Sequence, residues 1–450
     1  MNSDAKYLGN VRAVVVLLLL VFGSLATFAQ EPVILIPGLT GSELVNEKTG
    51  ELVWLKAARS KDDDIRLPIS TVPAKNRDAL VPGDILRSVK LGIFPRIDVY
   101  SGLIDSFKNQ SGYHEEYWDS PSEKGGEKAI YVFPYDWRLD NVVNARNLIR
   151  KVEELKKKLK KPDLKFNIIG HSMGGIIARY AAMYGDADLP VGTRKPVPTW
   201  AGARHFNKIV LLGTPNEGSA LALSSLIDGY AVGGIQFNLP FVQNISEYDV
   251  FTVPSSYQLL PAPGTLQLVD ENFEPVDVDI YDPKTWSKYG WNPIDRKKFA
   301  GEFSLVERRA APAFFAAMLL RAKRLHEALA AKSEPKGVQF ELVGSECKET
   351  LDTIVVYRDA KSNDYKTLFK ASGFTKNGGT KVTSDELKPI MYAAGDGTVT
   401  QRSFEMRSQT KLSGTTLKSG PVKAACEDHQ KLGANEELQL YLNNLLGGKK

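Results

Sequence analysis

Short apolar runs recur along this chain, separated by longer stretches in which apolar residues return at helical spacing. Pro32 to Ile36, Ile130 to Phe133, Phe166 to Ile169, Lys208 to Leu212, Val338 to Val343 and Ile390 to Ala393 each read as a buried strand. Several stop at turn residues: Pro37-Gly38, Pro134 and Gly213-Thr214-Pro215. Between them, Leu148, Val152, Leu155 and Leu159 line one face of a helix from about Asn141 to Lys160. Ile176, Ile177, Tyr180, Ala181 and Tyr184 mark a second helix, and Phe314, Phe315, Met318, Leu319, Leu325 and Leu329 a third, over residues 311–330. A last helix spans Glu436 to Leu446. Strands alternating with helices predict an α/β protein: a mostly parallel sheet with helices on both faces.

Two stretches break the alternation. Residues from about 43 to 128 are of mixed character, cut by Pro68, Pro73, Pro82, Gly83 and Pro95, and read as an insertion. Residues 216–264 are glycine-rich and apolar without clean periodicity, as in Ala231-Val232-Gly233-Gly234-Ile235 and Asn238-Leu239-Pro240-Phe241; a mobile apolar lid is the expectation there. The lysines Lys156-Lys157-Lys158 and Lys160-Lys161 resemble a nucleic-acid or membrane patch. They are read instead as the solvated side and dipole-favoured end of their helix.

The chain opens with an export leader: Lys6 and Arg12 flank a continuous apolar core, Val14 to Phe22, and Thr27-Phe28-Ala29 offers a small-residue cleavage site. The core is short for a membrane span, and no cysteine follows it to carry a lipid, although an uncleaved anchor is the rival reading. Residues 1–29 are therefore set apart from the fold, and 30–450 form the domain, exported to a periplasm or the extracellular space. Its length exceeds one simple core, consistent with insertions. Hydrophobic content of 43% argues against disorder, and a formal charge of +5, one unit of it in the leader, is too mild to argue nucleic acid. The two cysteines, Cys347 and Cys426, form either one disulfide or two free thiols. Two cysteines and scattered histidines make zinc improbable.

The strand Phe166 to Ile169 runs into Gly170-His171-Ser172-Met173-Gly174-Gly175 and then a helix. A serine between glycines on a strand-to-helix turn is the layout of a nucleophile elbow. A serine hydroxyl needs a base to take its proton and a carboxylate to orient that base, and the hydrolase fold built on such an elbow orders them Ser, Asp or Glu, His. Of five histidines, His114 and His171 precede the serine. His205 leaves almost no room for an acid, and His326, among Arg321, Lys323, Arg324 and Glu327, is expected on an exposed helix face. His429, just before the last helix, remains as the base. Asp396, at a strand end in Ala394-Gly395-Asp396-Gly397, is the acid of choice, with Asp385 and Asp428 as alternatives. The expected oxyanion donors are the backbone N–H groups of Met173 and of Leu39 in Gly38-Leu39-Thr40-Gly41. Such chemistry needs no metal or organic cofactor.

Together with Pro32-Val33-Ile34-Leu35-Ile36-Pro37-Gly38-Leu39-Thr40-Gly41-Ser42, Pro134-Tyr135-Asp136-Trp137-Arg138, Leu212-Gly213-Thr214-Pro215 and Gly395-Asp396-Gly397-Thr398-Val399, these motifs resemble the lecithin:cholesterol acyltransferase family, in a bacterial-type form. The resemblance implies an α/β-hydrolase core with a cap and a lid, and 43–128 as the family's membrane-binding region. It implies an acyl-serine intermediate, with Ser172 as nucleophile, Asp396 as orienter, His429 as base, and Leu39 and Met173 as donors. Asp136 and Arg138 would be structural. Unlike the family's animal members, this lid carries no cysteine. The implied substrate is a lipid ester, met at a membrane or lipoprotein-like surface; oligomeric state is not readable. A carboxylesterase or amidase for soluble substrates, and a non-catalytic lipid-binding protein, are the competing readings.

Overall fold

The apolar runs assemble side by side. A computed structural model describes residues 30–56, 64–89, 97–230, 245–409, 417 and 422–447; residues 1–29, read as a leader, and most of the apolar tract inside 216–264 lie outside these. Glu31–Lys450 is one compact unit, and seven strands form its central sheet. They are β1 (Val33–Ile36), β2 (His114–Glu115), β3 (Ala129–Val132), β4 (Phe166–His171), β5 (Phe206–Leu212), β6 (Gln339–Ser345) and β7 (Lys423–Ala425). Their order is β7-β6-β5-β4-β1-β3-β2, and every neighbouring pair is parallel.

Successive side chains of a strand point to opposite faces, so a fully buried sheet feeds two cores. Ile34, Ile36, Phe166, Ile168, Ile209 and Leu211 join one, while Val33, Leu35, Ile169, Val210 and Leu212 join the other. The first core is covered by α2 (Asn141–Lys158), α3 (Met173–Tyr184) and α5 (Leu305–Leu329); α1 (Ser101–Ser111) and α6 (Glu436–Leu446) cover the second. One further helix, α4 (Ala220–Asp228), opens the region read as a lid; Tyr230 and Ile245 are bridged beyond it. Both α1 and β2 fall inside the stretch read as an insertion, yet they belong to the sheet and its helical layer.

Three local expectations are corrected. Ile390 to Ala393 is not a sheet strand: Thr383 and Glu386 form a capping box that starts a helix, Ser384–Met391, and Met391 is buried at its end. The strand that follows, Tyr392–Gly395, pairs antiparallel with Lys348–Leu351 outside the central sheet. His326 is not exposed; it is 1% accessible, because α5 is buried along much of its girth and Arg321 turns inward to Asp140 at 2.7 Å. Lys156 is not on the solvated side: it is buried, with Nζ 3.4 Å from His205 Nδ1, while Lys157, Lys158 and Lys160 are exposed. A concavity lined by Lys156, Lys157, Lys160, Lys165, Arg204 and His205 lies where β4 and β5 begin.

Candidate active site

The register of the sheet sets the site. Ile36 pairs with Gly170 and Leu212 with His171, so the turns after β1, β4 and β5 meet at one rim. Ser172 lies between β4 and α3 at φ 54°, ψ −124°, a backbone conformation that a residue with a Cβ adopts only when its surroundings enforce it. Those surroundings are glycines. A Cβ on Gly170 would lie 2.7 Å from the Cα of Gly175, one on Gly174 would lie 2.5 Å from the carbonyl oxygen of Ile36, and one on Gly175 would strike Thr214. The turn can therefore pack against the β1 loop and the β5 loop at once.

The structure brings the predicted serine, histidine and aspartate into line. His429 Nε2 lies 2.9 Å from Ser172 Oγ, and its Nδ1 lies 2.7 Å from Asp396 Oδ2. The other oxygen of Asp396 accepts from the amides of Thr398 and Val399 at 2.9 and 2.7 Å, and His429 N–H donates to the Asp396 carbonyl at 2.9 Å. With Asp396 as acceptor, the imidazole carries its proton on Nδ1 and presents a lone pair on Nε2 to the serine. Asp396 is 1% and His429 5% accessible, so water does not compete freely for these bonds. Asp385 and Asp428 stand elsewhere: Asp385 pairs with Lys388 at the surface, and Asp428 with Lys348 and Lys431.

Gly213, from the Leu-Gly-Thr-Pro motif, lies beneath the dyad; a Cβ there would sit 3.3 Å from both Asp396 Oδ2 and His429 Nδ1. Cys347 and Cys426 form a disulfide, one of the two states left open by the sequence, which ties the segment before Asp396 to the loop of His429.

The loop with Leu39 abuts the serine: a Cβ on Gly38 would lie 2.9 Å from Ser172 Cβ. Met173 is the first residue of α3, where a backbone N–H has no partner within the helix. The Tyr-Asp-Trp-Arg block braces the loop. Tyr135 hydroxyl donates to the Pro37 carbonyl at 2.9 Å, and Trp137 packs edge-on against Trp54, whose indole N–H donates to the Thr40 carbonyl at 3.1 Å. Arg138 is fully buried, and its guanidinium donates twice to Asp136 and twice to Asp78.

Sequence reasoning missed two residues at the site. Tyr100 and His171 lie beneath the triad, joined at 2.8 Å, and nothing in the sequence near Tyr100 signals that its hydroxyl reaches the elbow. Burial, then the neighbouring His429, hold the His171 imidazole down to about 3, so it stays neutral. Among the described residues no cluster of three histidine, cysteine or carboxylate side chains is placed to hold a metal.

The family model of lecithin:cholesterol acyltransferase matches residues 111–303, which include the elbow. An uncharacterized protein of Saccharomyces cerevisiae, YJR098C, is 23% identical over 273 residues, covering 59% of this chain and 34% of that protein; the chain thus spans about a third of its length. Among solved structures, a chain of the Tle4–Tli4 complex superposes with a TM-score of 0.54 at 14% identity, over 93% of this chain and 97% of that one. The lin2722 product of Listeria innocua aligns at a TM-score of 0.35 and 11% identity, over 94% and 95%. The fold is that of an α/β-hydrolase, and the segment from 111 to 303 that carries the elbow is similar to the lecithin:cholesterol acyltransferase family.

Proposed function

We propose that this chain is a serine-dependent lipid acyl hydrolase or acyltransferase, acting on ester bonds of phospholipid or neutral lipid through an acyl-serine. The observation that carries the reading is the unbroken line Ser172 Oγ, His429, Asp396 at 2.9 and 2.7 Å on the rim of the sheet. An ester carbonyl docks with its oxygen toward the Leu39 and Met173 amides. Ser172 Oγ bonds to the carbonyl carbon as its proton passes to His429 Nε2, and Asp396 stabilises the imidazolium. The C–O bond to the alcohol breaks, and the alcohol leaves with that proton. Water or a lipid alcohol then gives its proton to His429 and takes the acyl group, and Ser172 is regenerated. Each oxyanion donor is worth about 3 kcal/mol in the transition state. The lipid preference rests on the family match over residues 111–303.

Export follows from the leader, with its basic flank, apolar core and small-residue site. No helix among the described residues is long and apolar enough to cross a membrane. The test is fluorophosphonate labelling of the mature protein, expected on wild type and absent from Ser172→Ala. Failure of the wild type to label removes the serine mechanism. Lipid mass spectrometry after incubation with mixed phospholipids, with and without a sterol, then reads the products. Free fatty acid identifies water as acceptor, and a new ester identifies a lipid alcohol. Turnover of monomeric esters alone points to a soluble-substrate esterase.

A further inference from the structure

We infer that Tyr100 and His171 are positioning residues for this reaction, forming a second hydrogen-bonded line that fixes the oxyanion loop to the loop of the base. The inference rests on the proposed serine mechanism. Gly38 N–H donates to Tyr100 Oη at 2.9 Å, Tyr100 Oη lies 2.8 Å from His171 Nδ1, and His171 Nε2 lies 3.0 Å from the His429 carbonyl. Donor and acceptor roles leave one polarity. The Tyr100 oxygen is taken by Gly38, so its proton goes to His171 Nδ1; His171 therefore carries its proton on Nε2 and gives it to His429 O. The ring stays neutral, as burial dictates, and a neutral imidazole with one donor and one acceptor is what this line needs.

The two ends of the line are what make it more than a core contact. Gly38 directly precedes Leu39, a proposed oxyanion donor. His429 contributes its carbonyl to this line and its ring to the other. The His171 and His429 rings lie 5.0 Å apart, so the lower ring also supports the upper. Tyr100, His171 and His429 are each 95% or more buried. Tyr100 stands just before α1, in a part of the chain outside the 111–303 match, so the element that covers one face of the sheet also reaches the site. Catalytic donors and bases lose rate steeply when displaced by fractions of an ångström.

Tyr100→Phe removes one oxygen and leaves the Gly38 N–H and His171 Nδ1 without a partner. The expected result, on a monomeric p-nitrophenyl ester, is a fall in kcat of roughly ten- to a hundredfold with KM within about twofold. His171→Gln can still donate to the His429 carbonyl, and His171→Asn can still accept from Tyr100; each is expected to recover part of what His171→Ala loses. The double variant Tyr100→Phe, His171→Gln should cost no more than the worse single, since both cut one line. A folded Tyr100→Phe protein with wild-type kcat overturns the inference, as does a rate loss matched by lost folded protein in thermal unfolding. Absence of fluorophosphonate labelling in the wild type is a separate failure, that of the serine mechanism itself.

Discussion

Ser172 holds a positive φ because glycines make room for it, and the space at each is accounted for by named neighbours. Gly213 is the most informative of those around the site. Its φ of 59° suits glycine, and an added Cβ would lie 2.6 Å from Leu432 Cδ1 and 3.3 Å from Asp396 Oδ2 and His429 Nδ1. Gly213→Ala should therefore displace the imidazole while leaving the sheet intact. We expect turnover to fall by about a hundredfold or more, with a stability loss of only about 1–2 kcal/mol, measured by steady-state kinetics beside chemical denaturation. His429→Ala, by contrast, removes the proposed base outright. Turnover should drop by on the order of 10⁴, and the melting temperature should stay near that of wild type. A His429→Ala protein with wild-type turnover would mean that another group takes the serine proton. At this scale the sequence is highly legible for Ser172, since an elbow is a local pattern. His429 and Asp396 come only through elimination and chain order. Tyr100 is invisible, because one hydroxyl crossing from another element leaves no spacing to read.

Elements hold the site through two braces outside the triad. Arg138 is buried between Asp136 and Asp78, and it fixes the turn after β3 whose Tyr135 steadies the Pro37 loop. Arg138→Ala would strand the buried Asp136 carboxylate and should cost about 3–5 kcal/mol in urea unfolding, well above a surface change. The second brace is the disulfide, whose cysteines are 79 residues apart and join the turn after β6, ahead of the strand Lys348–Leu351, to the loop of His429. By loop-closure entropy, its loss should cost about 4 kcal/mol, seen as a lower unfolding midpoint for Cys347→Ala, Cys426→Ala. Activity per folded molecule should fall less than stability, because His429 still bonds Asp396 directly. Strands β1, β3, β4, β5 and β6 are readable as short apolar runs, and helix α2 because it buries a long face of helical period. The two-residue β2 and the three-residue Lys423–Ala425 are not: edge strands that short gain their structure from the neighbour they pair with. Ile390 to Ala393 misleads for a related reason, its residues being shared between a capped helix and a strand that pairs antiparallel outside the central sheet.

Across the whole molecule, three histidines are buried neutral in different places: His171 under the triad, His205 where β5 begins and His326 inside α5. Burial is the first cause in each. His429 adds to it at His171, Lys156 and Arg204 at His205, and Arg179 at His326. Their imidazoles are held down to about 3, about 4 and about 4, against an ordinary value of 6.5. The sign follows from proton counting. Below pH 6.5 the unfolded chain protonates these rings while the folded chain does not, so the unfolded state binds more protons and stability falls as pH falls. The loss begins near pH 6.5 and runs down toward pH 4, where the folded rings begin to charge. Each ring contributes a slope of about 1.4 kcal/mol per pH unit, so three together approach about 4 kcal/mol per unit near pH 5. Glu217, whose carboxyl burial pushes up, acts in the opposite sense at the lower end of this range. A domain of ordinary stability has roughly 5–15 kcal/mol to lose, so acid below pH 6.5 should weaken it markedly. Urea unfolding at half-unit steps from pH 7.5 to 4.5 measures the slope. Replacing His326, which is far from the triad line in sequence and makes no part of it, with glutamine should flatten the slope by about 1.4 kcal/mol per unit whatever it does to absolute stability. A profile level between pH 6.5 and 5 would mean that these rings titrate in the folded protein as they do in water.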